Sequence, residues 1–485
     1  MGIVANQSFK NTITTYLGFA IGAVNTLFLY THFITDTYYG LVAFILSTAN
    51  IMMPLMAFGT HNTIIKFYST FKTKRSLNSF LTVMLALPLV IVIPLGLIGY
   101  TCNNFIGNLL SHENNIVKDY VWYIFIAAVA MAYFEVFFAW AKAQLQTVFG
   151  NFMKEVFHRL AIMGLLFAVF LDYLTVDEFI RSVIIVYVLR MLVMMFYAFI
   201  IRLPVFTLKR IDNLGSIIKY SALIIIAGSV ATLILDIDKF MLGQYIAIKE
   251  VAYYSVAIFI ATVIAVPLRS MHQIMLPLTA QYLNNGNKSA LKDLYKRSSL
   301  NLYVICGFIF ILIIININEL YLIIPAEFRG GLLVVFLVSA AKLSDTLLGN
   351  NNAILFNSDY YRMVLVFGVV LAILTILLNM IFIPLYGING SALATFIAIL
   401  VYNTIKIMFV KQKFNMLPFT QNTLKMSILI VIFILGFYFW DFPFHPILNI
   451  LLKSALSGLL YAIVVFRMNV SEDISSILKK YLRIK

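Results

Sequence analysis

Nine ionisable residues stand in stretches otherwise suited to lipid. Arg190 follows the apolar run Ile185-Val186-Tyr187-Val188-Leu189. Lys342 and Asp345 are three residues apart, hence on one helical face, amid Ser339, Ser344, Thr346 and Asn350-Asn351-Asn352. Glu135 and Lys142 are seven apart and share a face, and Arg269 follows Pro267. Asp236, Asp238 and Lys239 lie close together. The five cations suit an anionic group: a guanidinium matches phosphate in a fork, while an ammonium acts as a point charge. The four carboxylates suit a proton or Na⁺. Each is costly in lipid and is expected to face protein or a water-filled cavity.

No soluble catalytic constellation accompanies them. There is no Gly-rich phosphate loop, no zinc-ligand spacing and no Gly-x-Ser-x-Gly elbow. The sequence therefore reads as that of a non-enzyme without cofactor or metal. Lacking an ATP site, active transport would draw on H⁺ or Na⁺, the membrane potential or substrate flux.

The elements that must hold these residues follow from composition. Of 485 residues, 62% are hydrophobic and 11% charged, with mean hydropathy +0.96. Soluble domains carry about 25% charged residues, so an all-α polytopic membrane protein is the remaining class. A bilayer core of about 30 Å needs about 20 apolar residues per helix. About fourteen segments qualify: 9–33, 39–60, 80–101, 119–141, 155–173, 179–201, 220–247, 250–275, 299–323, 331–356, 362–383, 388–410, 424–440 and 446–466. If the crossing of helix seven ends near 236, the Asp236–Lys239 group is a surface loop. If it continues, the group is intramembrane, and Asp236 and Lys239 can pair at i,i+3.

The formal charge of +15 reads as an orientation signal. With the N-terminus inside, 27 of 35 basic residues fall in cytoplasmic segments and 6 outside. Both termini are then expected in the cytoplasm, and no nucleic-acid partner is required. The cytoplasmic set includes Lys154, Arg159, Lys209, Arg210 and Lys406, and the outside set Lys453. The start reads as an uncleaved signal anchor. Cys102 and Cys306 fall at opposite faces and are expected to stay unbridged. A tail helix capped by Ser471, with Ile474, Ile477, Leu478, Tyr481 and Leu482 on one side, is expected to lie on membrane lipids. Ser289–Arg297 is a shorter version, and for both a solvated basic helix end is the competing reading. For Lys342–Asp345 the competing role is a structural ion pair, and for Lys142 it is snorkelling to the inner surface.

A faint repeat lays Tyr38–Ile45 on Tyr253–Ile260, with Tyr30 on Tyr245 and Leu27 on Leu242. Helices one and seven would then correspond in a parallel six-helix repeat, a transporter plan. The expected division is a six-helix lobe over 1–215, a second over 216–415, two additional helices over 416–466 and an amphipathic tail over 467–485.

The stretch Leu235-Asp236-Ile237-Asp238-Lys239-Phe240-Met241-Leu242-Gly243-Gln244-Tyr245, followed by Val251-Ala252-Tyr253-Tyr254-Ser255, resembles the polysaccharide transporter signature. Ile383-Pro384-Leu385-Tyr386-Gly387-Ile388-Asn389-Gly390-Ser391 resembles that family's turn between helices eleven and twelve. Tyr39-Gly40, Gly59-Thr60 and Lys66-Phe67-Tyr68 sit as its first hairpin does. The chain thus resembles the Wzx-type flippases of the multidrug/oligosaccharidyl-lipid/polysaccharide exporter superfamily. The resemblance implies two six-helix lobes around a central cavity plus two C-terminal helices, in a bacterial inner membrane. It implies an undecaprenyl-diphosphate-linked oligosaccharide substrate, serving O-antigen, capsule or exopolysaccharide synthesis, and contact with polymerase machinery. It favours the intramembrane placement of Asp236, Asp238 and Lys239. Arg190 and Lys342, with Lys142, Lys239 or Arg269, would hold the anionic head. Asp236, Asp238, Asp345 or Glu135 would couple an ion.

Three alternatives make different demands. A multidrug antiporter of the same superfamily predicts a cation site, but Thr12–Phe33 has no carboxylate and fourteen helices exceed the usual twelve. A lipid II flippase is expected to carry arginines in helix one, which has none. A membrane glycosyltransferase or polymerase needs a large external loop, and the longest here spans roughly residues 102–118.

Overall fold

The structure, a computed structural model, describes residues 3–207, 211 and 213–482; side chains are described except at 3–6, 8, 9, 226–235, 270, 273, 274, 477, 478 and 480–482. Lys209 and Arg210 therefore lie outside the described residues. So do the side chains of Ile477, Leu478, Tyr481 and Leu482 on the expected lipid face of the tail.

Among the described residues the chain is helical and without strands. Ten stretches are long and apolar enough to span a membrane. One, Tyr361–Phe414, has 54 residues, about 80 Å at 1.5 Å per residue and more than one crossing needs. It is broken at Gly387, whose φ of 57° and ψ of −133° leave helical space. Gly390 beside it is equally constrained, since a Cβ there would meet Phe382 O at 1.9 Å. Leu214–Tyr245 adds a helix of 32 residues. The protein is a multi-pass membrane protein.

Two compact units divide the chain, Met1–Ser255 and Val256–Lys485. The boundary lies forty residues beyond the 215/216 limit read from the sequence. Leu214–Tyr245 packs along Asp36–Met56 and so belongs with the first unit.

In the first unit the two signature stretches meet. Gly40 lies so close to the start of the helix Ile248–Thr262 that a Cβ would sit 1.9 Å from Ile248 O. Tyr253 OH donates to Asp36 Oδ2 at 2.5 Å. Asn114 closes the preceding turn, donating to Gly243 O and Ile246 O and accepting from Ile248 N. Glycine and tyrosine in the signature thus serve close backbone approach and helix-end anchoring.

Two π-helical turns interrupt this unit, Asn25–Leu29 and Met153–Phe157. They lie in neighbouring helices: Asn25 Nδ2 donates to Arg159 O at 2.7 Å, and a Cβ on Gly18 would meet Glu155 O at 2.5 Å. Such turns re-aim the side chains around them and recur at functional sites.

In the second unit Lys288–Ile323 is the central helix. The additional helices Gln421–Tyr438 and Pro446–Arg467 pack on it through Tyr303, Ile311, Phe433, Phe437 and Tyr461. Leu332–Thr346 ends in turns at 347–350 and resumes at Asn351–Phe356. Gly349 adopts φ +48°, and a Cβ there would lie 2.6 Å from Ser299 N. Ser299 Oγ donates to Leu347 O at 2.8 Å, supporting the break.

The tail forms a helix, Glu472–Leu482, with Ser471 Oγ accepting from Ile474 N as its cap. Asn301 holds it, bonding Ser471 Oγ at 2.5 Å and Asp473 at 2.7 Å. Among the described residues both cysteines are free.

Candidate substrate and coupling sites

The first cluster lies in the N-terminal unit. Val121–Lys142 supplies Phe134, Glu135, Phe138 and Lys142, and Val176–Ile201 supplies Tyr187 and Arg190. Arg190 is 7% exposed. Its guanidinium carbon lies 4.3 Å from the Phe134 ring centroid and 4.7 Å from that of Tyr187. Its Nε has no hydrogen-bond partner, and Arg190 makes no ion pair among the described residues. Cation–π contact returns part of the cost of burying such a charge, yet an unpaired buried guanidinium remains expensive. The ring of His158, tilted on Tyr187 with centroids 5.8 Å apart, also has a buried unpartnered Nδ1.

Glu135 and Lys142 share a helix face, and the direct partner of Glu135 comes from another helix. Lys154 Nζ donates to Glu135 Oε1 at 2.6 Å, and Lys142 Nζ lies 3.8 Å from the Phe138 ring centroid. Lys154 belongs to the π-turn Met153–Phe157, and Glu155 in the same turn faces Arg159 at 3.5 Å. Lys142 is half-buried on this aromatic face.

Leu214–Tyr245 continues past Asp236, so the Asp236–Lys239 group is inside a helix. Asp238 is 1% exposed and accepts from Tyr254 OH at 2.6 Å. Asp236 takes a hydrogen bond from Asn50 at 2.7 Å, in place of the i,i+3 pairing with Lys239. Lys239 is half-buried without an ion pair among the described residues.

The second cluster lies in the C-terminal unit, around the broken helix. Lys342 Nζ is 3.8 Å from Asp345 Oδ2. Asn403 Nδ2 bridges Asp345 Oδ1 at 2.9 Å and Ser344 Oγ at 3.0 Å. Lys406, one turn from Asn403, is fully buried and donates to Asn352 Oδ1. Asn351 donates to Tyr295 OH, and Asn350 and Thr279 bond each other. An interrupted helix lined with polar side chains is how spanning segments build ion and substrate sites. Arg269 is exposed on Val266–Asn284.

Residues 5–283 match the family described as polysaccharide biosynthesis protein. The chain belongs to that family. No curated protein matches the sequence. Among solved structures, a lipid II flippase in an inward-closed conformation is similar over 95% of this chain and 99% of its own, at TM-score 0.73 and 14% identity. An inward-facing multidrug resistance MATE family transporter of the MOP superfamily is similar over 84% and 94%, at TM-score 0.60 and 14% identity. A superfamily transporter from Pyrococcus furiosus, described as having a binding pocket of reversed polarity, is similar over 84% and 95%, at TM-score 0.59 and 12% identity. At these identities the likeness concerns the fold.

This member of the polysaccharide biosynthesis family thus brings Glu135, Lys142 and Arg190 to one aromatic face, and Lys342 and Asp345 to one broken helix. The sequence marked Lys154, Lys406 and Lys453 only as orientation charges and not as site residues; Lys154 engages Glu135, Lys406 donates to Asn352, and Lys453 is 1% exposed and paired with Asp441 at 2.8 Å. A signal existed for Lys406: Asn403 and Lys406 repeat the i,i+3 polar pattern of Lys342 and Asp345.

Proposed function

We propose that the protein is a flippase that carries an undecaprenyl-diphosphate-linked oligosaccharide across the bacterial cytoplasmic membrane by alternating access. The substrate serves assembly of O-antigen, capsule or exopolysaccharide. The observation that carries this reading is Arg190, a buried guanidinium caged by Phe134 and Tyr187 with no counter-ion among the described residues. A diphosphate would supply the direct ion pair that Arg190 does not make among the described residues, and the two rings offer faces for a sugar. Lys142 and Lys154 add positive charge on the same side. In the second unit Lys342 is the corresponding anion-binding group. Membership of a polysaccharide biosynthesis family supports the same substrate class.

A multidrug antiporter would need an available buried carboxylate. Here Glu135 is engaged by Lys154 and Asp238 by Tyr254, which leaves Asp236, held by the neutral Asn50, as the carboxylate that reading would use. The test is polymer export in cells whose only copy carries Arg190→Gln or Lys342→Gln, with lipid-linked repeat units followed in parallel. Loss of export, with repeat units accumulating on the inner face and protein level unchanged, is expected. Wild-type export in both variants would overturn the reading.

A further inference from the structure

We infer that Lys406 is a proton-carrying residue of the transport cycle, loading and releasing a proton inside the C-terminal unit. The inference rests on the proposed transport function, and it stands on placement. Lys406 lies within the long helix ending at Phe414 yet is 0% exposed, one of the largest fully buried side chains. Its Nζ donates to the neutral amide oxygen of Asn352 and lies 4.7 Å from the Tyr402 ring centroid. Among the described residues it makes no ion pair. Asp345, whose charge reaches it, is already engaged by Lys342 at 3.8 Å and by Asn403.

The charge count follows. With Lys406 neutral, Lys342 and Asp345 cancel. With Lys406 protonated, the buried group carries an unbalanced positive charge, which a low-dielectric interior penalises. The protonation state is therefore tied to whatever changes the surroundings of this site. The break at 347–350 offers such a change, because Asn352 sits just beyond it and backbone bonds there rest on Ser299.

Enclosure decides what Lys406 can bind. A sugar diphosphate cannot reach a side chain with no exposed surface, whereas a proton needs only a hydrogen-bonded path. The step is simple: the ammonium gives H⁺ to water and becomes a neutral amine with a lone pair, and reloading reverses it. The other titratable or charged groups facing the site are Lys342 and Asp345 on Leu332–Thr346, His272 on Val266–Asn284, Tyr295 on Lys288–Ile323 and Tyr402 on its own helix.

The test separates the proton from the substrate. Purified wild type, Lys406→Met and Lys406→Arg are melted in detergent from pH 5.5 to 9.5 without substrate. If Lys406 exchanges a proton, the Tm difference between wild type and Lys406→Met changes with pH. A difference constant across the range overturns the inference, whatever the transported molecule. The second arm measures polymer export at external pH 6 and 8, with and without a protonophore. Expected is at least a tenfold loss in Lys406→Arg, which holds its proton, and loss of the pH and protonophore response in Lys406→Met. Wild-type responses in both variants overturn it. If the Tm arm succeeds and deleting the protein leaves polymer export intact, the proton site stands and the substrate assignment fails.

Discussion

Lys154 Nζ sits 2.6 Å from Glu135 Oε1, although Lys142 shares the helix face of Glu135. Lys154 belongs to a π-turn. The contact is an ion pair spanning two helices, with Glu135 13% and Lys154 43% exposed at the side chain.

Breaking that pair should cost less than an enclosed one. Loss of one partner from a buried pair costs about 3–5 kcal/mol; with Lys154 partly exposed and screened, about 1 kcal/mol is expected for Lys154→Met. Glu135→Gln should cost more, because it removes the direct partner of Lys154 and the one carboxylate whose charge also reaches Lys142 among the described residues. The double variant should recover part of the loss. Melting of the three proteins in detergent gives the coupling, and strict additivity would show that the contact contributes nothing.

Arg190 should behave in the opposite manner. Its guanidinium is buried and makes no ion pair among the described residues, so Arg190→Met removes a costly charge while keeping an apolar body between Phe134 and Tyr187. Tm should stay the same or rise, while polymer export falls at least about tenfold, as expected where stability is given up for a binding site. A simultaneous loss of Tm would identify Arg190 as a structural brace.

Much of this architecture was legible in sequence because lipid imposes a strong apolar signal: each expected span corresponds to helical structure, and Gly387 and Gly390 turn the chain where their motif suggested. Three things were not legible. Helices run on into polar sequence, as Lys288–Ile323 does eleven residues before its apolar part, so charges at span edges read as loops. Lys406 fell inside an expected span, and only packing shows that it is enclosed. Second, a π-turn has no compositional mark, and Lys154, which lies in one, meets Glu135 across helices, a contact that spacing within one helix does not reveal. Third, Asp238 and Asp236 find Tyr254 and Asn50 on other helices, pairings that local spacing cannot show.

Gly390 provides a direct test of the turn. A Cβ there would overlap the Phe382 carbonyl at 1.9 Å, a backbone atom that cannot rotate away. Gly387 has open space around its Cβ position, and its difficulty is φ of +57°. Gly387→Ala should therefore cost about 3 kcal/mol, because φ 57° with ψ −133° lies outside the left-handed helical well and suits glycine, and still yield folded protein. Gly390→Ala must displace backbone and should reduce the folded, detergent-extractable yield severalfold. Fluorescence-detected size exclusion separates the two, and equal yields would refute the steric account.

The tail closes onto the second unit through few contacts, which makes its attachment separable. Asn301 accepts from Ser471 and donates to Asp473, and Arg297 meets Glu472 at 3.1 Å with 46% of its side chain exposed. The Arg297 pair is solvent-screened and worth little, whereas Asn301 joins both the cap residue and the first helical turn. Asn301→Ala should free the segment around Asn469–Asp473 to local unfolding while the Tyr303–Tyr461 core stays packed. Trypsin should then cut at Arg467 severalfold faster than in wild type, with global Tm nearly unchanged. Arg297→Ala should shift the cleavage rate far less; equal rates in both variants would place the anchor on the ion pair instead.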